Sequence, residues 1–293
     1  MTPPDLPAPP AGVLVLVGTP IGNLADLSPR AVDALGRADV VCCEDTRRTG
    51  RLLAHAGVKA ARLVTVNDHT EAAAVDDVLG RLGRGESVAV VTDAGMPGIS
   101  DPGERLVAAA AAAGHTVEVV PGPSAVVSAL AVSGLPGGRF AFEGFLPRKG
   151  SGRTGRLAEA AAERRTTVLY EAPHRLARTL AELAEVCGPG RRVAIARELT
   201  KLHEEVWRGT LAEAVSWVAG RPPRGEFVVV LEGAAEPEPP DDEAVRGAVG
   251  AALARGLSAR DAAAEVAEAL GVPRRRAYAV ATAVPDPNPR SAG

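Results

Sequence analysis

Short β-branched runs alternating with alanine-rich helical stretches predict an α/β fold. Two further features of the sequence sharpen that expectation. The apolar runs are continuous rather than alternating, as in strands covered on both faces, and several lead directly into loops rich in Gly, Pro and Asp. This is the rhythm of βαβ units around largely parallel sheets. With 293 residues and 46% hydrophobic content, the chain has material for about two domains with substantial cores.

Taken in order, the opening MTPPDLPAPP has no basic start, and the aliphatic run that follows is too short for a signal peptide. Residues 1–12 are therefore read as disordered and the protein as cytoplasmic. VLVLV (13–17) is far short of the roughly 20 apolar residues that span a bilayer, so no membrane partner is expected. VLVLV, VVCC (40–43), SVAVV (87–91) and TVEVV (116–120) read as buried strands. Helices are predicted after Ser28 and from Thr46, Glu71, Gly103 and Ser124, several with Ser, Thr or Pro at the start.

The Gly and Pro density of GLPGGRF (134–140) divides a first α/β domain, 13–136, from a second, 137–233. In the second, FAFEGF, TTVLYEA, RRVAIARE, EVWRGTL and GEFVVVLEG read as strands, and His174 and Arg175 open a helix. AAEPEPPDD (234–242) is proline-rich and acidic, which fits an extended linker. The tail, 243–293, holds two or three short helices; within it residues 256–283 carry a serine cap, an apolar periodic face, a Gly-Val-Pro break and a basic helix start, like a helix-turn-helix.

Three cysteines give neither a disulfide framework nor a metal-binding pair, and five histidines are scattered, so no metal is expected. Cys42 and Cys43 end an apolar strand and read as buried, inert thiols. The net charge of -3 gives no global case for a nucleic-acid partner. Local clusters do exist: RRTGR (47–51), PRKGSGR (147–153) and RRR (274–276) offer phosphate contacts or solvated surface. Aromatic content of 3% argues against recognition dominated by base stacking.

The loops after the strands, GTPIGN (18–23), EDTR (44–47), TDAGMPGISDPG (92–103) and PGPSA (121–125), can line one cleft, because ligands sit beyond the carboxyl ends of parallel strands. No glycine precedes the Lys and hydroxyl pair of a Walker loop, and Gly18 and Gly22 are not spaced as a dinucleotide fingerprint. A carboxylate such as Asp93 repels a phosphate but bonds a ribose hydroxyl or an amino group, so the loop chemistry suits a zwitterionic, adenosine-bearing ligand.

GTPIGNLADLS (18–28), CEDTRRTGRLL (43–53), TDAGMPGISDPG, PGPSAVVSALAVSGLP (121–136), FEGFLPRK (142–149), YEAPHRL (170–176) and ARELTKLHEEVWRGTL (196–211) occur in that order. Together they closely resemble the bacterial small-subunit ribosomal RNA cytidine 2'-O-methyltransferases of the tetrapyrrole methylase superfamily, over about residues 13 to 233. The resemblance implies a tetrapyrrole methylase-like α/β fold: two α/β domains flanking a cleft for S-adenosylmethionine, a small C-terminal helical domain, and a homodimer acting on 16S rRNA within the small ribosomal subunit. It places Pro20, Asp93, Gly95, Pro97, Ile99, Ser124, Ala125, Tyr170 and Ala196 along the cofactor.

Methyl transfer to a ribose hydroxyl is an in-line displacement, helped by a base and a nearby cation. The candidates are Glu44, Asp45 and Arg47 of EDTR, and Arg197, Glu198 and Lys201 of ARELTK. The same residues suit an ion-pair lattice at a domain or dimer interface equally well. Two rival functions stand beside this one: a methylase of a tetrapyrrole or other small molecule, which would share fold and cofactor, and a metabolite-sensing nucleic-acid-binding protein working through its tail.

Overall fold

The computed structural model describes residues 12–59, 62–67, 70–220, 223–236 and 240–283. The segment 1–11, most of the stretch expected to be disordered, lies outside the described residues, as do 237–239 of the linker. One compact unit ends at Ala234 and a second begins at Ala235.

The first sheet contains β1 (Val13–Val17), β2 (Val40–Cys43), β3 (Leu63–Thr65), β4 (Ser87–Val90) and β5 (Thr116–Val120), in the order β3-β2-β4-β1-β5 with every pairing parallel. Helices cover both faces. α1 (Pro29–Arg37) and α2 (Thr46–His55) bury Ala31, Leu35 and Leu53 against Val15 and Val17; α3 (Glu71–Gly83) and α4 (Glu104–Ala112) bury Leu82 and Leu106 against Leu14 and Val88. Ser28 caps α1 through the Ala31 N–H, and Pro29 at the first position needs no hydrogen bond of its own. β3 escapes the sequence reading because three residues at an edge carry no clear pattern. β5 is partly exposed, with Val119 open to solvent, because it forms the other edge.

Glu71, only 5% exposed, accepts hydrogen bonds from the backbone N–H groups of Gly103, Arg105 and Leu106 at 2.9, 2.9 and 3.2 Å. A carboxylate at the start of α3 thus satisfies the open first turn of α4 and fixes the end of the 92–103 loop. Glu71→Ala is expected to lower stability by about 2–3 kcal/mol in urea unfolding, with Glu71→Gln restoring part of it.

The second sheet comprises β6 (Phe140–Phe145), β7 (Thr166–Glu171), β8 (Arg192–Arg197), β9 (Glu205–Thr210) and β10 (Phe227–Leu231), ordered β6-β7-β10-β8-β9. Only β6 and β7 pair in parallel; β7–β10, β10–β8 and β8–β9 are antiparallel. This corrects the expectation of largely parallel sheets throughout. The last strand in the chain inserts at the centre, which explains its fully buried FVVVL. One face is covered by α6 (Ser151–Ala162), α7 (Pro173–Cys187) and α8 (Leu211–Ala219). The other is covered by α5 (Ala125–Ser133), whose Val126, Ala129 and Leu130 pack on Val168, Ala194 and Val230.

Of the basic cluster 147–153, Arg148 and Lys149 are exposed, but Arg153 needs a second correction. Arg153 is 3% exposed and donates to Glu182 Oε2 at 2.7 Å, Thr179 Oγ1 at 2.8 Å and the Pro147 carbonyl at 3.0 Å, so it is a buried strut with no access to phosphate. Arg175 likewise pairs with the buried Glu171 at 3.1 Å.

In the second unit α9 (Asp242–Ala254), α10 (Ala259–Leu270) and α11 (Arg274–Ala283) share a core of Val245, Val249, Ala262, Val266 and Ala277. Asp241 caps α9, Ser258 caps α10, and Gly271 ends α10 in the left-handed region at φ 64°. Arg276 of the basic cluster pairs with Asp242 at 2.6 Å. No helix of the described residues is long and apolar enough to cross a membrane, and among them no three His, Cys, Asp or Glu gather as metal ligands.

Candidate active site

Because β4, β1 and β5 are neighbours, their carboxyl-end loops meet. Thr19 and Gly95 exchange backbone hydrogen bonds at 2.9 and 3.1 Å, and the loops after β1 and β5 touch backbone to backbone. A Cβ on Gly18 would lie 2.6 Å from Gly122 Cα and N and 2.7 Å from Met96 Sδ, so only glycine permits this approach. The meeting loops face β6, β7 and β10 of the second sheet across a cavity of about 340 Å3.

Gly95, Ile99, Ser124, Ala125 and Tyr170 line this cavity, five of the nine residues expected along the cofactor. Pro20 and Asp93 line a neighbouring cavity of about 200 Å3 instead. Pro97 is buried in its loop, and Ala196 lies in the core beneath Tyr170; neither lines either cavity. The lining is largely apolar and aromatic, with Phe145 5.5 Å from the Tyr170 ring; Phe142, outside the lining, lies 5.1 Å from the same ring. Burial, with Asp101 and Glu226 nearby, pushes the Tyr170 hydroxyl up to about 12, so it stays a neutral donor.

Asp101, Glu171 and Glu226 also line the cavity, and among the described residues no Lys, Arg or His does. Sequence reading missed all three acids. Glu226 sits in an uninformative stretch before β10, and Glu171 within YEAPHRL was passed over for its neighbours.

At the rim, Lys201 Nζ is 2.9 Å from Glu198 Oε1 and 2.9 Å from Glu226 Oε2, while Glu198 Oε1 also accepts the Glu226 N–H at 2.9 Å. Burial pulls the Lys201 ammonium down, but its two carboxylate partners outweigh that and raise it; the same contacts hold Glu198 below the usual range against its own burial. The Lys201 stem faces the first loop, since a Cβ on Gly22 would come within 2.4 Å of Lys201 Cγ. All three non-glycine residues with positive φ among those described, Ser100, Glu198 and Thr200, belong to this site's loops, where strain marks a constrained geometry.

The other candidates are placed differently. Glu44 Oε1 accepts the Asp93 N–H at 2.9 Å and ties β2 to the loop after β4. Asp45 caps α2 and pairs with the exposed Arg47 at 3.1 Å, which lowers its carboxyl to about 2. Arg48, read from the sequence only as part of the basic cluster 47–51, pairs with Asp93 at 3.1 Å. Arg197 donates to the Arg224 carbonyl at 2.8 Å and pairs with Glu205 at 3.5 Å, outside the Lys201 cluster. Burial raises both Cys43 and Cys42, the latter to about 12, in keeping with inert thiols.

The model of the Tetrapyrrole (Corrin/Porphyrin) Methylases matches residues 13–215, and that of an RsmI C-terminal HTH domain matches residues 239–283. Proteins named ribosomal RNA small subunit methyltransferase I are similar along most of the chain. The one from Synechocystis is 44% identical over 91% of this chain and 96% of its own length, and that from Mycobacterium tuberculosis H37Rv is 48% identical over 92% and 94%. The Thermotoga maritima protein is 47% identical over 99% of its length but only 76% of this chain. Among solved structures, the methyltransferase CobJ superposes with a TM-score of 0.57 at 23% identity, covering 78% of this chain and 95% of its own, a likeness of fold. Uroporphyrin-III-C-methyltransferase from Thermus thermophilus gives 0.51 at 27% identity, over 75% and 94%.

Proposed function

The chain belongs to the ribosomal RNA small subunit methyltransferase I family of tetrapyrrole methylases, and on that premise we propose that it methylates the ribose 2'-hydroxyl of a cytidine in the decoding region of 16S rRNA, with S-adenosylmethionine as donor. The observation that carries the cofactor is the cavity's lining: apolar and aromatic walls with the carboxylates of Asp101 and Glu226 and, among the described residues, no basic side chain, the Glu171 carboxylate being taken up by Arg175 and Thr179. Such a lining disfavours a polyphosphate and suits an amino-bearing, positively charged ligand with a flat purine.

Gly95, Ile99, Ser124, Ala125 and Tyr170 are the residues to hold it, with Asp101 and Glu226 facing its positive groups. Ser124 starts α5 without spending its hydroxyl on a capping bond, which leaves that hydroxyl for the ligand. S-adenosylmethionine, when bound, supplies an electrophilic methyl group on a sulfonium. The chain's own work is to exclude water, orient the hydroxyl and move its proton. Lys201, held protonated through the neutral range, steadies the developing alkoxide, and a carboxylate of the Glu198–Glu226 pair receives the proton. Glu44, Asp45, Arg47 and Arg197 act as positioning residues through the contacts described above.

The reading includes a homodimer, for which exposed Val127, Val132 and Phe140 are available apolar surface, a cytoplasmic location, and a tail that docks the ribosomal substrate. Small-molecule methylation shares the fold, but these relatives, similar over 91–92% of the chain, carry the ribosomal name. The deciding experiment is methyl transfer from labelled S-adenosylmethionine to small subunits from cells lacking this gene, with mass-spectrometric mapping. Transfer to a tetrapyrrole but not to subunits would overturn the RNA assignment. Lys201→Met is expected to lower kcat by about 10²–10³-fold with cofactor affinity within about twofold, and Lys201→Arg to recover part of it.

A further inference from the structure

The smaller cavity, about 200 Å3, is built of three kinds of side chain. Pro20, Leu24 and Leu52 give aliphatic walls; Thr19, Thr92 and Asp93 give a polar floor; Arg48 and Arg51 stand at its edge on α2. It shares walls with the cofactor cavity, because Pro20 and Asp93 line one while the next residues, Ile21 and Ala94, line the other.

Two polar atoms in this wall are buried with no hydrogen-bond partner among the described residues: Thr92 Oγ1, in a residue 3% exposed, and Asp93 Oδ1. Buried polar atoms are nearly always paired, and since neither of these has surface open to the cavity as it stands, a partner from outside the chain reaches them only once the wall shifts to admit it. Arg48 occupies Asp93 Oδ2 at 3.1 Å, which leaves Oδ1 as an acceptor alone. Arg51 is exposed and makes no ion pair among the described residues, a cation left for an anion at the rim.

A phosphate is excluded from the floor by the Asp93 carboxylate but welcome beside Arg51 and Arg48, while an amine is welcome at the floor. One ligand class carries both groups with a flat apolar body between them: a nucleotide bearing an exocyclic amine. Resting on the function proposed above, we propose that this cavity receives the substrate nucleotide, extruded from its RNA, and that Asp93 identifies cytosine by accepting from its amino group. Uracil presents a carbonyl oxygen at the same place, which a carboxylate repels. Holding the base in a fitted pocket would serve recognition and fix the attached ribose, whose 2'-hydroxyl is the reacting group.

The test uses the full-length protein and does not depend on turnover. Cytidine 5'-monophosphate and uridine 5'-monophosphate are titrated by NMR, and S-adenosylmethionine by calorimetry. The parent should prefer the cytidine nucleotide by about fivefold or more. Asp93→Asn, whose amide donates as well as accepts, should collapse that preference, and Arg51→Ala should weaken both nucleotides alike by about threefold to tenfold, each with cofactor affinity within about twofold. No nucleotide binding, equal binding of the two by the parent, or an Asp93→Asn protein that loses the cofactor while keeping its nucleotide preference would overturn the inference. Parent enzyme that methylates subunits without showing the preference refutes the pocket alone; parent that shows the preference but methylates no subunit refutes the activity and leaves the pocket standing.

Discussion

Gly18→Ala is expected to abolish measurable S-adenosylmethionine binding and to lower stability by about 1–3 kcal/mol or more. The added methyl would meet Gly122 Cα and N at 2.6 Å, and backbone held by the β1–β5 pairing has no rotamer into which to retreat. The same methyl would press on Met96 Sδ, 2.7 Å away, and Met96 lines the larger cavity, the one proposed to hold the cofactor. Gly122→Ala meets Gly18 at 2.8 Å from the other side and should behave alike. Calorimetric titration with urea unfolding checks both; a Gly18→Ala protein that binds the cofactor at parental affinity would sink the account of the three-loop junction.

Arg153→Leu is expected to destabilise by about 2–4 kcal/mol, because it removes the more buried of Glu182's two arginine partners, leaving Arg178, and removes the donor to Thr179, which itself donates to buried Glu171 at 2.5 Å. Thermal or urea unfolding measures the loss. The pH dependence adds a second reading. Burial raises Glu182, but hydrogen bonds from Arg153 and Arg178 prevail and hold it below its ordinary 4.5. A lowered carboxyl contributes stability that is complete above about 4.5 and is lost as pH falls through the lower folded value. Stability of the parent should therefore fall on acidification, and that part of the acid dependence should shrink in Arg153→Leu, where Arg178 alone remains. Equal slopes for the two proteins would show that the pair contributes little.

Legibility of the sequence followed the range of the interactions. Ser28 before Pro29 announces α1, and Ser258 announces α10, because a cap acts within three residues. The first sheet was readable for the same reason: each apolar run and its following helix form a local unit. Strand direction in the second sheet was not, since GEFVVVLEG looks the same whether it joins an edge or slips between β7 and β8. The site divided likewise. Glycine loops advertise themselves, so Gly95, Ser124 and Ala125 were found. Glu71 acts 32 residues away on Gly103, and Glu226 meets Lys201 across 25 residues, distances over which sequence pattern is silent. Arg153 was misread because a basic run looks solvated until burial is known.

The position of α5 bears on how the first unit comes apart. By chain order this helix closes the first sheet, yet its apolar side lies on the second. A cut after Pro136 would leave the leading fragment holding a helix with nothing to pack on and the trailing fragment with Val168, Ala194 and Val230 bare to water. Neither piece would be self-sufficient, and mixing them should restore structure through the borrowed helix. The two sheets are therefore coupled in unfolding, and amide protons of β1 and β10 should exchange with a common opening free energy rather than as two independent foldons.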